Sequence, residues 1–274
     1  MSQQFSAPMP RRALGSTGID VSCLGLGTVK IGRNEGVKYP AGFQLPDDAR
    51  VREILALCRD AGMNLIDTAP AYGSSEERLG TLLTRRQDWV ICSKVGEEFS
   101  AGKSHFDFSA THVRRSIERS LQRLKTDYLD IVLVHSDGRD EALLQDGECL
   151  DALRRCRAAG LIRAIGMSTK TVAGGLLAVE QTDVVMVTCN PDAREDIAVI
   201  AHAHALRKGV LIKKALNSGH AAAPDAQSPF SDPVQHSLDF VFAQPGVSAV
   251  IIGSITPAHL QHNIEAALRA TAAR

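Results

Sequence analysis

The segment that decides the fold is a strand, a helix and a second strand in succession between residues 128 and 168. It opens with YLDIVLVHS at Tyr128–Ser136, continues through an amphipathic stretch at 147–159, and closes with IRAIGMS at Ile162–Ser168. Both runs are short, almost continuously apolar and rich in β-branched residues, as strands are when helices cover both faces of their sheet. Gly160 directly follows the helical stretch and is typical of a helix end. The pattern predicts a parallel β-α-β unit.

The same unit repeats along the chain. Eight runs are predicted as strands, and they begin at Val21, Asn64, Trp89, Tyr128, Ile162, Val184, Val210 and Val247. Helical patterns lie at 47–61, 75–86, 109–124, 147–159, 171–180, 194–208, 232–243 and 257–271. Eight strands alternating with eight helices predict a (β/α)8 TIM barrel, formed as a single domain by residues 1–274. A doubly wound open sheet is the alternative. The stretch from Gly25 begins to resemble its dinucleotide-binding motif, but a long loop follows where that motif needs a helix.

Several segments lie outside the repeat. Residues 11–19 read RALGSTGID, and their turn signal predicts a hairpin that closes the bottom of the barrel. Residues 29–46 and 217–231 follow the first and seventh strands, so we expect them over the top face, where barrel active sites are built. Together with residues 97–108 they are expected to supply the substrate pocket.

The composition excludes several partners. The 274 residues carry a formal net charge of zero, which gives no electrostatic reason to expect nucleic acid or an anionic membrane as a partner. No signal peptide or membrane-spanning run is visible. The six cysteines form no C-x-x-C pair and are expected to be reduced thiols. These features favour a cytoplasmic protein, and we expect a monomer.

Polar residues stand at the ends of three consecutive predicted strands. Asp67 ends the second strand and Tyr72 follows it, while Lys94 and His135 lie at the ends of the third and fourth. The alternative for these residues is a structural ion pair between Lys94 and Asp67 beside a core histidine. Their convergence at the top of one barrel favours catalysis instead.

The four side chains together suit proton transfer to an oxyanion. A lysine cation near a tyrosine stabilises the phenolate and lowers the tyrosine pKa, and Asp67 would keep Lys94 charged. A neutral His135 could hold a carbonyl oxygen by a hydrogen bond. Hydride is the reagent that no side chain supplies, so a nicotinamide cofactor is implied.

Several motifs resemble the aldo-keto reductase family. They are GLGT at Gly25–Thr28, NLIDTAPAYG at Asn64–Gly73, LVHS at Leu133–Ser136, GMST at Gly166–Thr169, and IIGSITPAHLQHN ending at Asn263. The resemblance implies a catalytic tetrad of Asp67, Tyr72, Lys94 and His135. It also implies NADP(H), with NAD(H) as the second possibility, and a small carbonyl or alcohol substrate.

The resemblance further implies a set of cofactor contacts. These are Gly27, Thr28, Asp67, Ser168, Thr169, Lys213, Gly253, Ser254, Thr256, His259 and Asn263. Five positions depart from the family pattern. Thr169 replaces Asn, Met186 replaces the Gln that binds the carboxamide, and Lys213 replaces a Tyr that stacks on the nicotinamide. Gly253 and His259 stand where NADP-preferring members have Lys and Arg.

Two other functions remain open at this stage. Some relatives act as cofactor-sensing regulatory subunits with little turnover, and the intact tetrad argues against that role here. A metal-dependent barrel hydrolase would need ligands at the strand ends, and none is visible there. The H-x-H at His202 lies within a predicted helix, where residues two apart do not face each other.

Overall fold

The computed structural model describes residues 5–37, 39, 42–222 and 230–272. Its strands are β1 (Arg11–Ala13), β2 (Asp20–Ser22), β3 (Leu24–Gly27), β4 (Leu65–Asp67), β5 (Val90–Val95), β6 (Glu97–Ser100), β7 (Lys103–Phe106), β8 (Leu129–His135), β9 (Ile162–Ser168), β10 (Val184–Thr188), β11 (Gly209–Lys213) and β12 (Ala249–Ile252). Its helices are α1 (Val29–Gly32), α2 (Asp48–Asp60), α3 (Ser75–Leu82), α4 (Ala110–Leu124), α5 (Asp140–Asp146), α6 (Glu148–Ala158), α7 (Val172–Gln181), α8 (Ile197–Ala205), α9 (Pro233–Phe242) and α10 (Pro257–Ala272).

Eight parallel strands close into a barrel in the order β10-β11-β12-β3-β4-β5-β8-β9. The predicted TIM barrel is therefore confirmed, and the open doubly wound sheet is excluded. Parallel pairing brings the carboxyl ends of all eight strands to one rim, so residues far apart in sequence meet there. In this cyclic order β11 lies directly across the barrel from β5.

The N-terminal hairpin closes the bottom of the barrel, as predicted. β1 and β2 pair antiparallel, and Leu14 between them is fully buried in a cluster with the inward-facing residues of the barrel. Gly15 has φ +58°, and a Cβ there would meet the backbone nitrogen of Gly209 at 2.4 Å. The turn needs glycine because it lies directly against the amino end of β11.

Helix boundaries follow local capping chemistry. Ser109 accepts a hydrogen bond from the backbone nitrogen of His112, and Asp47 accepts one from that of Arg50, so α4 and α2 begin at the following residues. Outside the barrel, the apolar faces of the helices pack on the outward-facing strand residues and form the larger part of the core.

The structure differs from the predicted elements in several places. The run from Val21 is not one strand, because its first residues pair with β1 and only Leu24–Gly27 joins the barrel. α3 and α8 are shorter than the predicted 75–86 and 194–208. Residues 97–106 form the hairpin β6–β7, and α1 and α5 are additional helices.

The predicted loops 29–46 and 217–231 are described only in part. Positions 38, 40 and 41 of the loop 29–46, and 223–229 of the loop 217–231, lie outside the described residues. In the described part of the chain, no helix has the length and apolarity needed to cross a membrane.

Candidate active site

The four predicted catalytic residues meet in one cavity of about 580 Å³ at the carboxyl ends of the strands. Asp67 ends β4, Lys94 lies on β5, and His135 ends β8. Tyr72 lies in the turn between β4 and α3, and its backbone nitrogen donates to the carbonyl oxygen of Ala69. Three neighbouring strands and one tight turn thus place all four side chains on the same wall.

Lys94 is held in position by two acceptors. Its Nζ donates to Asp67 Oδ1 at 2.5 Å and to the carbonyl oxygen of Thr68 at 2.9 Å. Burial by itself would lower the lysine pKa, but the attraction of Asp67 and Tyr72 outweighs it and raises the pKa of Lys94 above its usual range. The ion pair between Lys94 and Asp67, for which a purely structural role was the alternative, is therefore present. It keeps a permanent cation at the site.

Tyr72 lies between this cation and the histidine. Lys94 Nζ is 4.8 Å from the centroid of the Tyr72 ring, and the rings of Tyr72 and His135 meet edge to face with centroids 6.2 Å apart. The expected net lowering of the tyrosine pKa is not found: burial raises the pKa of Tyr72, and Lys94 only opposes that rise. Tyr72 is therefore firmly protonated, which is the form that a proton donor requires.

Glu97, on β6, is a contact of His135 that the sequence did not reveal. Its Oε2 lies 2.8 Å from His135 Nδ1, although the ring N–H does not point squarely along that line. Burial would raise the pKa of this carboxyl, but contacts with His135, Ser104 and Arg33 lower the pKa of Glu97 to about 2. A permanent carboxylate therefore faces one side of the histidine ring.

This contact changes the expected role of His135. A carboxylate beside Nδ1 favours a proton on that nitrogen, which leaves Nε2 of a neutral ring as an acceptor. His135 would then donate to a carbonyl oxygen only as an imidazolium. Burial lowers the pKa of His135, while Glu97 acts in the opposite direction. Glu97 thus determines how far up the pH scale the donor form persists.

Six predicted cofactor residues line the same cavity as the tetrad. They are Gly27, Thr28, Ser168, Thr169, Lys213 and Gly253. The hydroxyl of Thr28 donates to the backbone oxygen of Asp67 at 2.8 Å and accepts from Ser75 Oγ at 2.7 Å, so protein groups already occupy it. Met186, which replaces the usual glutamine, also lines the cavity and offers no amide there.

The remaining predicted cofactor residues lie at or near the start of α10. Ser254 Oγ accepts from the backbone nitrogen of Thr256 at 3.3 Å, and His259 is exposed on the first turns of the helix. Asn263, one turn further on, is buried. Beside them is a depression of about 390 Å³ between Thr256 and the start of α2, which Arg50 also lines. Arg50, which pairs with Glu53 at 2.7 Å, thus places a guanidinium near this helix end that the sequence did not reveal.

The charge of the cavity favours anions. Its lining includes the lysines Lys30, Lys94, Lys170, Lys213 and Lys214 but a single carboxylate, Asp67, among the residues that the structure describes. Tyr39 covers part of the rim, with its ring 4.0 Å from Lys30 Nζ. A pyrophosphate or another anionic group would be attracted to such a lining.

Metal ligands are not grouped anywhere in the described parts of the chain. No set of three or more His, Cys, Asp or Glu side chains there could hold an ion. His202 instead pairs with Glu180 at 2.6 Å, and all six cysteines are free and buried.

Comparison with known proteins agrees with this architecture. The sequence model of the Aldo/keto reductase family matches residues 23–191. A solved structure from Pseudomonas aeruginosa, assigned to the aldo-keto reductases, is 54% identical, covers 95% of both chains and superposes with a TM-score of 0.85. The chain belongs to the aldo/keto reductase family, and it is an NAD(P)H-dependent oxidoreductase.

More distant relatives share most of the chain. L-galactose dehydrogenase of Arabidopsis thaliana is 28% identical over 93% of this chain and 87% of its own length. The holo form of an aldo-keto reductase from Bacillus halodurans, 23% identical over 94% of this chain and 90% of its own, has the same fold with a TM-score of 0.77.

Proposed function

We propose that the protein reduces an aldehyde or ketone to an alcohol with NADP(H), or runs the reverse oxidation, with Tyr72 as the general acid. The observation that carries this proposal is the contact of Tyr72 with a permanently charged Lys94, which Asp67 holds at 2.5 Å inside a cavity. As the carbonyl carbon receives hydride, its oxygen takes the phenolic proton of Tyr72. The charge of Lys94 stabilises the phenolate that remains, and the same steps reversed oxidise an alcohol.

The cavity fits a dinucleotide. At its rim Gly253 has no side chain, and a Cβ there would lie 3.2 Å from the backbone oxygen of Gly27, so a larger residue would crowd this part of the cavity. A few residues further along the chain the 16-residue α10 begins, and the backbone N–H groups of a helix's first turn favour phosphate. Bound there, the nucleotide supplies hydride.

The proposed nucleotide contacts fall into two groups, one lining the cavity and one at the start of α10. Ser168, Thr169 and Lys213 would meet the nicotinamide, and Gly27 and Thr28 its ribose. The phosphates would lie over Gly253, Ser254 and Thr256, and the adenosine end near His259 and Asn263. Asp67 would act indirectly, by holding Lys94 beside Tyr72.

For the nucleotide itself we propose a preference for NADPH over NADH, though a moderate one. His259 stands in place of the arginine that would offer the 2′-phosphate a bidentate guanidinium. Arg50, in the adjoining depression, is a permanent cation that could partly replace the missing arginine.

The substrate class can be narrowed only by the relatives. L-galactose dehydrogenase and a D-threo-aldose 1-dehydrogenase from Pseudomonas both match the chain, the latter at 27% identity over 64% of it. We therefore propose that aldoses belong in the first set of candidate substrates, beside simple aldehydes and ketones. We also propose that residues 1–274 act as one domain and as a cytoplasmic monomer. The buried free thiols agree with a reducing compartment.

The decisive assay is a panel of carbonyls with NADPH and NADH, and of aldoses with NADP+ and NAD+, followed by the change in nicotinamide absorbance. We expect turnover with at least one class and a lower KM for the phosphorylated nucleotide. Tight nucleotide binding with negligible turnover across the panel would favour the cofactor-sensing role instead.

A further inference from the structure

Lys213 is a second lysine in the active-site cavity, on the wall opposite Lys94. It ends β11, which lies across the barrel from β5. Its Nζ donates to Ser168 Oγ at 2.9 Å and to the backbone oxygen of Thr169 at 2.6 Å. Two hydrogen bonds to the end of β9 therefore fix the amine against the cavity wall.

No carboxylate neutralises this amine. Among the described residues, none places an acidic oxygen within salt-bridge distance of Lys213, whereas Lys94 has Asp67. Asp196 and Asp140 attract it only from a greater distance, and both accept backbone N–H groups, Asp196 from Thr188 at 3.0 Å and Asp140 from Thr171 at 2.7 Å. A proton on Lys213 thus places an uncompensated cation in the cavity.

We propose that Lys213 makes the nucleotide site select the reduced nicotinamide over the oxidised one. This inference rests on the proposed function, because hydride can reach a carbonyl held at Tyr72 only if the nicotinamide ring enters the cavity that Lys213 lines. The oxidised ring carries a positive charge and the reduced ring carries none, while the phosphates are the same in both. A fixed cation on the wall repels the oxidised form alone.

The selection depends on pH. Burial, followed by repulsion from Lys214, lowers the pKa of Lys213 to about 7. Lys213 is therefore charged below that pH and neutral above it, so discrimination against NADP+ is strongest in acid and fades as the pH rises.

Other charged groups face Lys213 from the elements around it. They are Lys214 beyond β11, Lys94 on β5, His135 on β8, Asp196 before α8 and Asp140 on α5, with Asp67, Tyr72, Lys30 and Lys170 lining the same cavity. His135 also titrates, so the pH dependence is assigned to Lys213 only by substitution of that residue.

The consequence is a bias in which nucleotide occupies the protein. In a mixed pool of NADPH and NADP+, a charged Lys213 favours occupancy by NADPH and release of NADP+ after each reduction. A neutral Lys213 lets NADP+ stay bound and so favours the oxidation of an alcohol. By linkage, binding of NADP+ to the charged form expels the proton of Lys213.

The test measures nucleotide binding by calorimetry without a carbonyl substrate. The Kd values of NADP+ and NADPH are determined for wild type, Lys213→Met and Lys213→Arg. We expect the ratio Kd(NADP+)/Kd(NADPH) at about pH 6 to be roughly tenfold larger in wild type than in Lys213→Met. It should fall towards the Lys213→Met value at about pH 8.5, and stay high at both pH values in Lys213→Arg, whose charge is permanent. NADP+ and NADPH carry the same 2′-phosphate, so any effect of a substitution on phosphate binding cancels in this ratio.

Lys170→Met is the matched control. It removes another cavity cation, one that faces the ring of Phe106 at 5.7 Å on the β6–β7 hairpin, and it should leave the ratio unchanged. Equal ratios in wild type and Lys213→Met at about pH 6 overturn the inference while nucleotide binding and carbonyl reduction leave the proposed function intact. Failure of wild type to bind either nucleotide overturns both.

Wild type alone provides a second test that does not depend on the folding of a variant. Calorimetry in two buffers of different ionisation enthalpy gives the number of protons released on binding. Near neutral pH, NADP+ should release more protons than NADPH. Equal proton numbers would exclude a coupling between Lys213 and the charge of the nicotinamide.

Discussion

The two walls of the cavity carry the same residue type in opposite electrostatic states. On the β4–β5–β8 wall, Lys94 has a carboxylate at 2.5 Å and a pKa above the usual range. On the β9–β11 wall, Lys213 has two neutral oxygens as its acceptors among the described residues, and a pKa of about 7. Lys94 is buried and Lys213 is partly buried, so both amines lose hydration, and the contacting carboxylate is the main difference between them.

The difference teaches that a contacting carboxylate decides whether an enclosed lysine is a fixed or a titrating charge. Desolvation disfavours the cation on both walls, and only a close negative partner offsets it. The first wall is thereby suited to proton transfer, which needs a constant electrostatic environment. The second is suited to sensing the charge of the group that enters the cavity.

The largest expected effect is a loss of kcat on substitution of residues on the first wall. Tyr72→Phe should lower kcat by at least about 10²-fold, because a positioned acid contributes that much, and should leave the Kd of NADPH nearly unchanged. Lys94→Met should cause a comparable loss, and the double variant little more, because residues that act as a unit are not additive. Steady-state kinetics of the three variants measure this. Fully additive losses would show that Lys94 does not serve Tyr72.

An intermediate effect concerns the carboxylate behind His135. Glu97→Gln keeps an acceptor of similar shape but removes the charge that opposes the burial-lowered pKa of His135. The histidine pKa should fall further, so the imidazolium donor is lost at lower pH. We expect kcat/KM for carbonyl reduction to drop about tenfold near neutrality, with its falling limb moved to lower pH.

The pH profile separates this role from a purely structural one. Glu97→Asp keeps the charge and should restore part of the wild-type profile. If Glu97→Gln lowers kcat/KM by the same factor at every pH, the carboxylate only holds the hairpin β6–β7 in place and does not tune the histidine.

The smallest effect concerns the start of α10. His259→Ala should weaken NADPH binding severalfold, because it removes a ring N–H that can donate to the 2′-phosphate. NADH, which lacks the 2′-phosphate, should bind equally well to wild type and variant. Fluorescence titration of both nucleotides measures this.

Arg50→Met is the companion variant. Because a guanidinium attracts phosphate, its loss should also weaken NADPH binding. If neither substitution changes the NADPH Kd, the 2′-phosphate does not lie at the start of α10.

The barrel, and the meeting of the four predicted catalytic residues on one of its walls, could be predicted from the sequence. Eight buried parallel strands read as apolar runs of regular spacing, and a closed parallel sheet brings strand ends to one rim whatever the details of packing. Asp67, Lys94 and His135 lie at strand ends, and Tyr72 follows one of them closely. Their meeting could therefore be inferred from position in the chain. The hairpin below the barrel could also be predicted, because its glycine-containing turn is a local sequence signal.

Tertiary structure alone decided the charge states. Glu97 reaches His135 because residues 97–106 fold as a hairpin over the rim, and no apolar periodicity signalled that hairpin. The pairing of Lys94 with Asp67 on the neighbouring strand was expected, but the sequence could not show that Lys213 has no carboxylate within salt-bridge distance among the described residues. A pKa depends on burial and on the distances to charged partners from remote parts of the chain. Those distances are set only when the barrel closes.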